Sequence, residues 1–134
     1  MRTLNLVPTN CKTVNPLQLN MLITDKENQK SARIEFEHSE HSYLRASQRG
    51  IEGDKICIAL LYGQVFNKQG LIYYVLGEHN IPDILAKEKN RLKNTIVIVA
   101  GDTNKIITCY RSSNPFKHMK MKSKILFNNY PHAA

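Results

Sequence analysis

His41, Arg45 and Arg49 recur at i, i+4 and i+8, and a helix over this stretch sets all three on one face. An imidazole can move a proton near neutral pH, and a guanidinium keeps its charge and forks onto phosphate oxygens. Phosphate-directed chemistry uses that combination. The same spacing also fits a solvated basic helix face, with Glu40 and Glu52 nearby in sequence; the row by itself leaves both readings open. A second group lies on a strand. Along Lys105-Ile106-Ile107-Thr108-Cys109-Tyr110-Arg111, alternation puts Thr108 and Tyr110 on one face and Cys109 and Arg111 on the other. Thr108 and Tyr110 reach the His/Arg row if the sheet folds back on the helix. Taken alone, the strand fits better a half-buried sheet aromatic beside a β-branched strand former.

The helix has local start and stop signals. Ser39 is a plausible N-cap and Gly50 suits the C-terminal cap, with Leu44, Ala46 and Ile51 turned toward a core. Ile56, Ala59, Leu60 and Gly63 predict a second, mostly buried helix that Gly63 stops. Two strands follow, Gln64 to Asn67 and Leu71 to Leu76, joined through Asn67-Lys68-Gln69-Gly70. Asn80-Ile81-Pro82-Asp83 opens a short amphipathic helix with Pro82 in its first turn. Thr95 to Val99 is the best central strand, and Gly101 to Asn104 turns the chain into the returning strand. Arg33 to Glu37 alternates as a short strand leading into the first helix. Before it, Asn5, Pro8, Asn10, Asn15, Pro16 and Asn20 break any period, although Leu17 to Ile23 could form a short strand or cover an apolar edge. The expectation is therefore an α+β fold: N-terminal helices packed on an antiparallel four-stranded meander, with one short inserted helix. Residues 1–31 form a partly ordered N-terminal extension, residues 32–127 a single α+β domain and residues 128–134 a tail.

A chain of 134 residues with a formal net charge of +8 and a pI near 9.5 points to an anionic partner, nucleic acid before a membrane surface. The charge is unevenly placed: no acid follows Asp102, whereas Lys105, Arg111, Lys117, Lys120, Lys122 and Lys124 do. Cys11, Cys57 and Cys109 make an odd count with no close pair, so neither a disulfide framework nor a zinc knuckle is expected. His38 and His41 stand at i, i+3 without a third ligand in view, and no metal site or cofactor is expected. The chain carries no phosphate-binding glycine loop, nucleophile elbow or zinc motif. It has no apolar run near the roughly 18 residues of a membrane span, and its N-terminus lacks a signal-peptide pattern. A reducing cytoplasm is the expected setting.

The ordered set Ser39-x-His41-x-x-x-Arg45-x-x-x-Arg49-Gly50-Ile51, then Ile56 to Leu60-x-x-Gly63, Val97-x-Val99 and Ile106-Ile107-Thr108-x-Tyr110-Arg111, resembles a bacterial family catalogued as a domain of unknown function (number forty-two fifty-eight). The Lys-rich stretch from Lys117 to Lys124 is similar too, and the resemblance covers roughly residues 36–125. That family is grouped with the RelE, barnase, EndoU and colicin-type RNases, whose shared fold is an N-terminal helix plus a four-stranded antiparallel meander.

The resemblance implies a metal-independent ribonuclease, often a toxin, leaving a 2′,3′-cyclic phosphate. His41 would act as general acid or base, and Arg45 and Arg49 would stabilise charge on the phosphorane. Thr108 and Tyr110 would position the scissile phosphate, and Arg111, Lys117, Lys120, Lys122 and Lys124 would hold the RNA backbone. Two other classes share the basic face: a non-catalytic RNA- or DNA-binding module, and an interaction protein that docks on an acidic antitoxin or immunity protein. Only the enzyme needs His41.

Overall fold

The computed structural model describes residues 6–25, 27, 29–117 and 119. Its first three elements are strands: β1 (Leu6–Asn15), β2 (Gln18–Asp25) and β3 (Ser31–His38), paired antiparallel in chain order. In β2, Leu19 and Met21 point inward at 1% and 3% exposure, alternating with Gln18, Asn20 and Leu22 on the wetter face. Pro8, Asn10, Asn15 and Pro16 flank the bulges or form the turn of this hairpin, whereas Asn20 is a regular strand residue opposite Lys12 and Asn5 lies outside the described residues. Asn15 Oδ1 accepts from the Leu17 N–H at 3.0 Å, and the register shifts between Pro8 and Asn10 and again between Thr13 and Asn15. The expected N-terminal extension is therefore part of the sheet from residue 6 onward.

After β3 the chain enters α1 (Glu40–Gln48) and α2 (Gly53–Tyr62). β4 (Gln64–Lys68) and β5 (Leu71–Leu76) form a hairpin through Gln69 and Gly70, whose φ values of 54° and 81° match a tight two-residue turn. Short 3₁₀ turns at Glu78–Asn80 and Asp83–Glu88 lead into a one-turn helix, α3 (Lys89–Leu92). β6 (Thr95–Ala100) and β7 (Lys105–Arg111) complete the sheet.

Among the described residues all seven strands belong to one sheet, in the order β1-β2-β3-β7-β6-β5-β4. The expected arrangement, N-terminal helices on a four-stranded meander, is overturned by this topology: three strands precede the helices and extend the sheet beyond β7. The sheet is joined across its middle by a parallel β3–β7 pairing at only Glu37 with Lys105 and His38 with Ile106.

The sheet is also curled. β1 and β5 lie five strand spacings apart, which is about 24 Å if flat. Both nevertheless pack on α2, a cylinder about 10–12 Å wide, so the sheet wraps around that helix. Its concave side holds Leu19, Met21, Phe36, Val97, Val99 and Ile106 against Ala46, Ile51, Ile56, Ala59 and Leu60. The other side carries Tyr73, Val75, Ile96 and Ile98 under Met119 and Phe116. β6 is thus buried on both faces, which explains its unbroken Ile/Val run.

Ser39 caps α1 as expected, its Oγ accepting from the Ser42 N–H at 3.0 Å, and Gly50 follows the helix at φ 73°. Ala46 and Ile51 are buried at 1% exposure each, but Leu44, expected inward, is 56% exposed. Ser42 takes the inward place in that turn. Gly63 ends α2 by contact: a Cβ there would lie 2.5 Å from the Ala59 carbonyl oxygen and 3.1 Å from the Val75 nitrogen.

Because Leu19 is part of the common core, truncating it should destabilise the whole domain. Leu19→Ala is expected to cost about 3 kcal/mol, read as a lower urea midpoint at unchanged m-value. A midpoint within error of the parent protein would show that β1–β2 is peripheral after all.

Candidate functional site

β3 leaves β7 after Ile106 to enter α1, so among the described residues the upper part of that β7 edge has no strand neighbour. A bulge sits at the same place: Ile98 pairs with Thr108 and Val99 with Ile106, leaving Ile107 unpaired and 48% exposed. The last turn of α1 fills the gap. Arg49 Nη1 donates to the Cys109 carbonyl oxygen at 2.7 Å and to Thr108 Oγ1 at 3.2 Å. Cys109 is 1% exposed, so its carbonyl needs a partner once the strand ladder ends. The guanidinium supplies it.

Beside this bridge lies an open groove of about 640 Å³ lined by Arg49, Thr108, Tyr110 and Arg111. Arg111 Nη2 donates to the carbonyls of Asn90 at 3.1 Å and Lys93 at 3.0 Å, closing the end of α3. Each guanidinium is therefore fixed through one nitrogen. Nε and the second Nη of both remain without a protein partner among the described residues, in the forked geometry that suits phosphate oxygens. Tyr110 packs against the convex-side cluster of Tyr73, Val75, Ile96, Ile98 and Met119. Burial, then proximity to Tyr73, raises its phenol above the ordinary value, so it stays a hydroxyl donor at neutral pH.

Four of the residues singled out by sequence thus meet: Arg49, Thr108, Tyr110 and Arg111. His41 and Arg45 do not line this groove. Both are exposed, and neither side chain has a hydrogen bond or ion pair among the described residues. Along the helix His41 lies about 12 Å from Arg49, with Arg45 midway. Lys117 is exposed, in helical conformation after the turn that follows β7. Lys120, Lys122 and Lys124 lie outside the described residues.

A second polar cluster escaped the sequence reading. His38, four residues before Ser42, places Nδ1 2.9 Å from Ser42 Oγ, and Ser42 Oγ donates to the Ser39 carbonyl at 3.2 Å. With that donation made, the His38 Nδ1–H donates to Ser42 Oγ and Nε2 keeps its lone pair. Both side chains are buried, at 4% and 3% exposure. Ser42 is therefore a support for the imidazole rather than an exposed nucleophile. The His38 ring stands edge-on to Tyr43 and borders a cavity of about 410 Å³ shared with Thr13, Asn15 and Glu52. The available signal was the spacing of His38 and Ser42 across the Ser39 cap. Among the described residues, no three His, Cys, Asp or Glu side chains converge as metal ligands, and no helix is long and apolar enough to cross a membrane.

No family model, no curated protein and no solved structure matches this chain.

Burial holds the His38 imidazole below its usual value of 6.5. The unfolded chain then takes up this proton before the folded one does, so its protonation favours unfolding. The contribution is complete above pH 6.5 and is lost as pH falls through the lower folded value. Urea midpoints should therefore sag more steeply between about pH 7.5 and 5 in the parent protein than in His38→Gln. Parallel pH profiles in the two proteins would contradict this.

Proposed function

We propose that this chain binds RNA through its sugar-phosphate backbone, in the groove between the last turn of α1 and the free edge of β7. The observation that carries the reading is the pair of anchored guanidiniums, Arg49 and Arg111, beside the Thr108 and Tyr110 hydroxyls. Their unused N–H groups suit a phosphodiester, and the net charge of +8 favours a polyanion over a small neutral ligand. A cytoplasmic setting accords with this partner.

Cleavage is the second reading, and it is favoured by the exposed imidazole of His41, which has no partner among the described residues, on the same helix as Arg49. A strand laid along α1 from the groove would pass Arg45 and then His41, each about 6 Å further on. In that arrangement Arg49 seats one phosphate and Arg45 clamps the next. His41 acts as general acid or base at the second of these, giving a 2′,3′-cyclic phosphate. This second reading joins the chain to the ribonuclease-toxin resemblance, with an acidic antitoxin as its natural partner.

Arg49→Ala is expected to weaken single-stranded RNA binding roughly tenfold at low salt and to reduce the slope of log affinity against log salt by about one. Fluorescence anisotropy over a salt series reads both. RNA affinity unchanged in Arg49→Ala and in Arg111→Ala would sink the binding proposal. For cleavage, the assay is total RNA and tRNA with EDTA present. Cutting that leaves cyclic phosphate ends and disappears in His41→Ala supports the enzyme. Intact RNA with salt-sensitive binding leaves the binding module.

A further inference from the structure

Cys11 and Cys57, which are 46 positions apart in the chain, bring their sulfurs to 3.1 Å where β1 crosses α2. That is about 1 Å more than a disulfide bond. Cys57 lies on the buried side of α2 at 6% exposure, whereas Cys11 is partly open to solvent. The third cysteine, Cys109, is buried on β7, with no sulfur neighbour among the described residues. We infer that Cys11 and Cys57 are a redox-active pair, closed to a disulfide by hydrogen peroxide and reopened by small-molecule thiols, which reversibly ties the edge strand β1 to α2.

The geometry supplies the roles. The Cys11 thiol donates its hydrogen bond to Cys57 Sγ. That bond favours Cys57 as the thiolate and keeps the proton on Cys11. Peroxide is small enough to suit a mostly covered sulfur. Cys57, having released its proton to water, attacks one peroxide oxygen. The O–O bond breaks, hydroxide leaves and takes up a proton, and Cys57 becomes a sulfenic acid. Cys11 then attacks Cys57 Sγ. The S–O bond breaks, and the departing hydroxide takes the Cys11 proton as a second water. Two thiols and one peroxide have become one disulfide and two waters. The two electrons lost by sulfur reduce the peroxide. Cys109 makes the internal control, since burial pushes its thiol up to about 12 and leaves it unreactive.

The staple closes a long loop between the sheet edge and the helix around which the sheet is wound, so it restricts the unfolded chain. The full chain, reduced and then treated with hydrogen peroxide, tests this. Under denaturing conditions its titratable thiols should fall from three to one, with a Cys11–Cys57 linkage in the peptide map of a monomer. Tm should rise by roughly 5–10 °C, and excess dithiothreitol should reverse both changes. Cys11→Ser replaces the partly exposed member, so it tests the pair even where Cys57→Ala fails to fold; it should form no monomeric disulfide and show no Tm rise. Three thiols surviving peroxide in the parent protein would overturn the inference. So would a linkage that includes Cys109.

Discussion

Two residue pairs hold the halves of this sheet together. Among the described residues, Glu37 beside Lys105 and His38 beside Ile106 are all that directly joins the N-terminal strands to the C-terminal ones by main-chain pairing. So short a parallel ladder is weak by itself. What secures it is the shared core beneath, where Leu19, Met21 and Phe36 from one half and Val97, Val99 and Ile106 from the other close on the same side chains of α2. The curl of the sheet follows from that sharing. A flat sheet would leave the apolar faces of β1 and β2 uncovered, and one helix could not serve both ends.

The same short junction creates the groove. Because β3 departs after two pairs, β7 runs on with one edge free, and a guanidinium rather than a strand completes it. The architecture and the candidate interface are therefore one feature. The chain turns out of the sheet into α1, and the far end of α1 returns to the edge that the turn exposed. A longer β3–β7 ladder would satisfy Cys109 by main-chain pairing and leave Arg49 no place in the sheet.

Much of this was legible where the signal was local. The Ser39 cap, Gly50, the β4–β5 hairpin and the apolar run of β6 each depend on a few adjacent residues, and they appear where the sequence puts them. The loop expected over Asn67 to Gly70 is tightened to a two-residue turn at Gln69-Gly70. Of the N-terminal strands, the alternation at Arg33 to Glu37 announced β3, and Leu17 to Ile23 offered β2 as one of two choices. β1 was not legible, since Asn and Pro at its turn and bulges hid any period and the partners of the inward side chains come dozens of residues later. The site divided in the same way. Alternation correctly paired Thr108 with Tyr110, and the helix row brought Arg49 to them. Nothing in the spacing of that row could show that only the last turn of α1 meets the open edge. Nor could it show that Arg111 closes the carbonyl end of α3, or that Cys11 and Cys57 meet.

The joint between β3 and β7 also has a history in time. Glu37 and Lys105 are separated by 68 positions (105 minus 37), so their pairing is among the contacts that must close a large loop before it returns any stabilisation. During synthesis β1, β2 and β3 emerge before α2, which covers part of their inner face, but the β7 edge that joins them to the rest of the sheet follows last. The hairpins of the C-terminal half can form from neighbouring residues as they emerge. These three strands thus wait longest for their place in the sheet, and until then Leu19, Met21 and Phe36 lack the cover that Val97, Val99 and Ile106 complete.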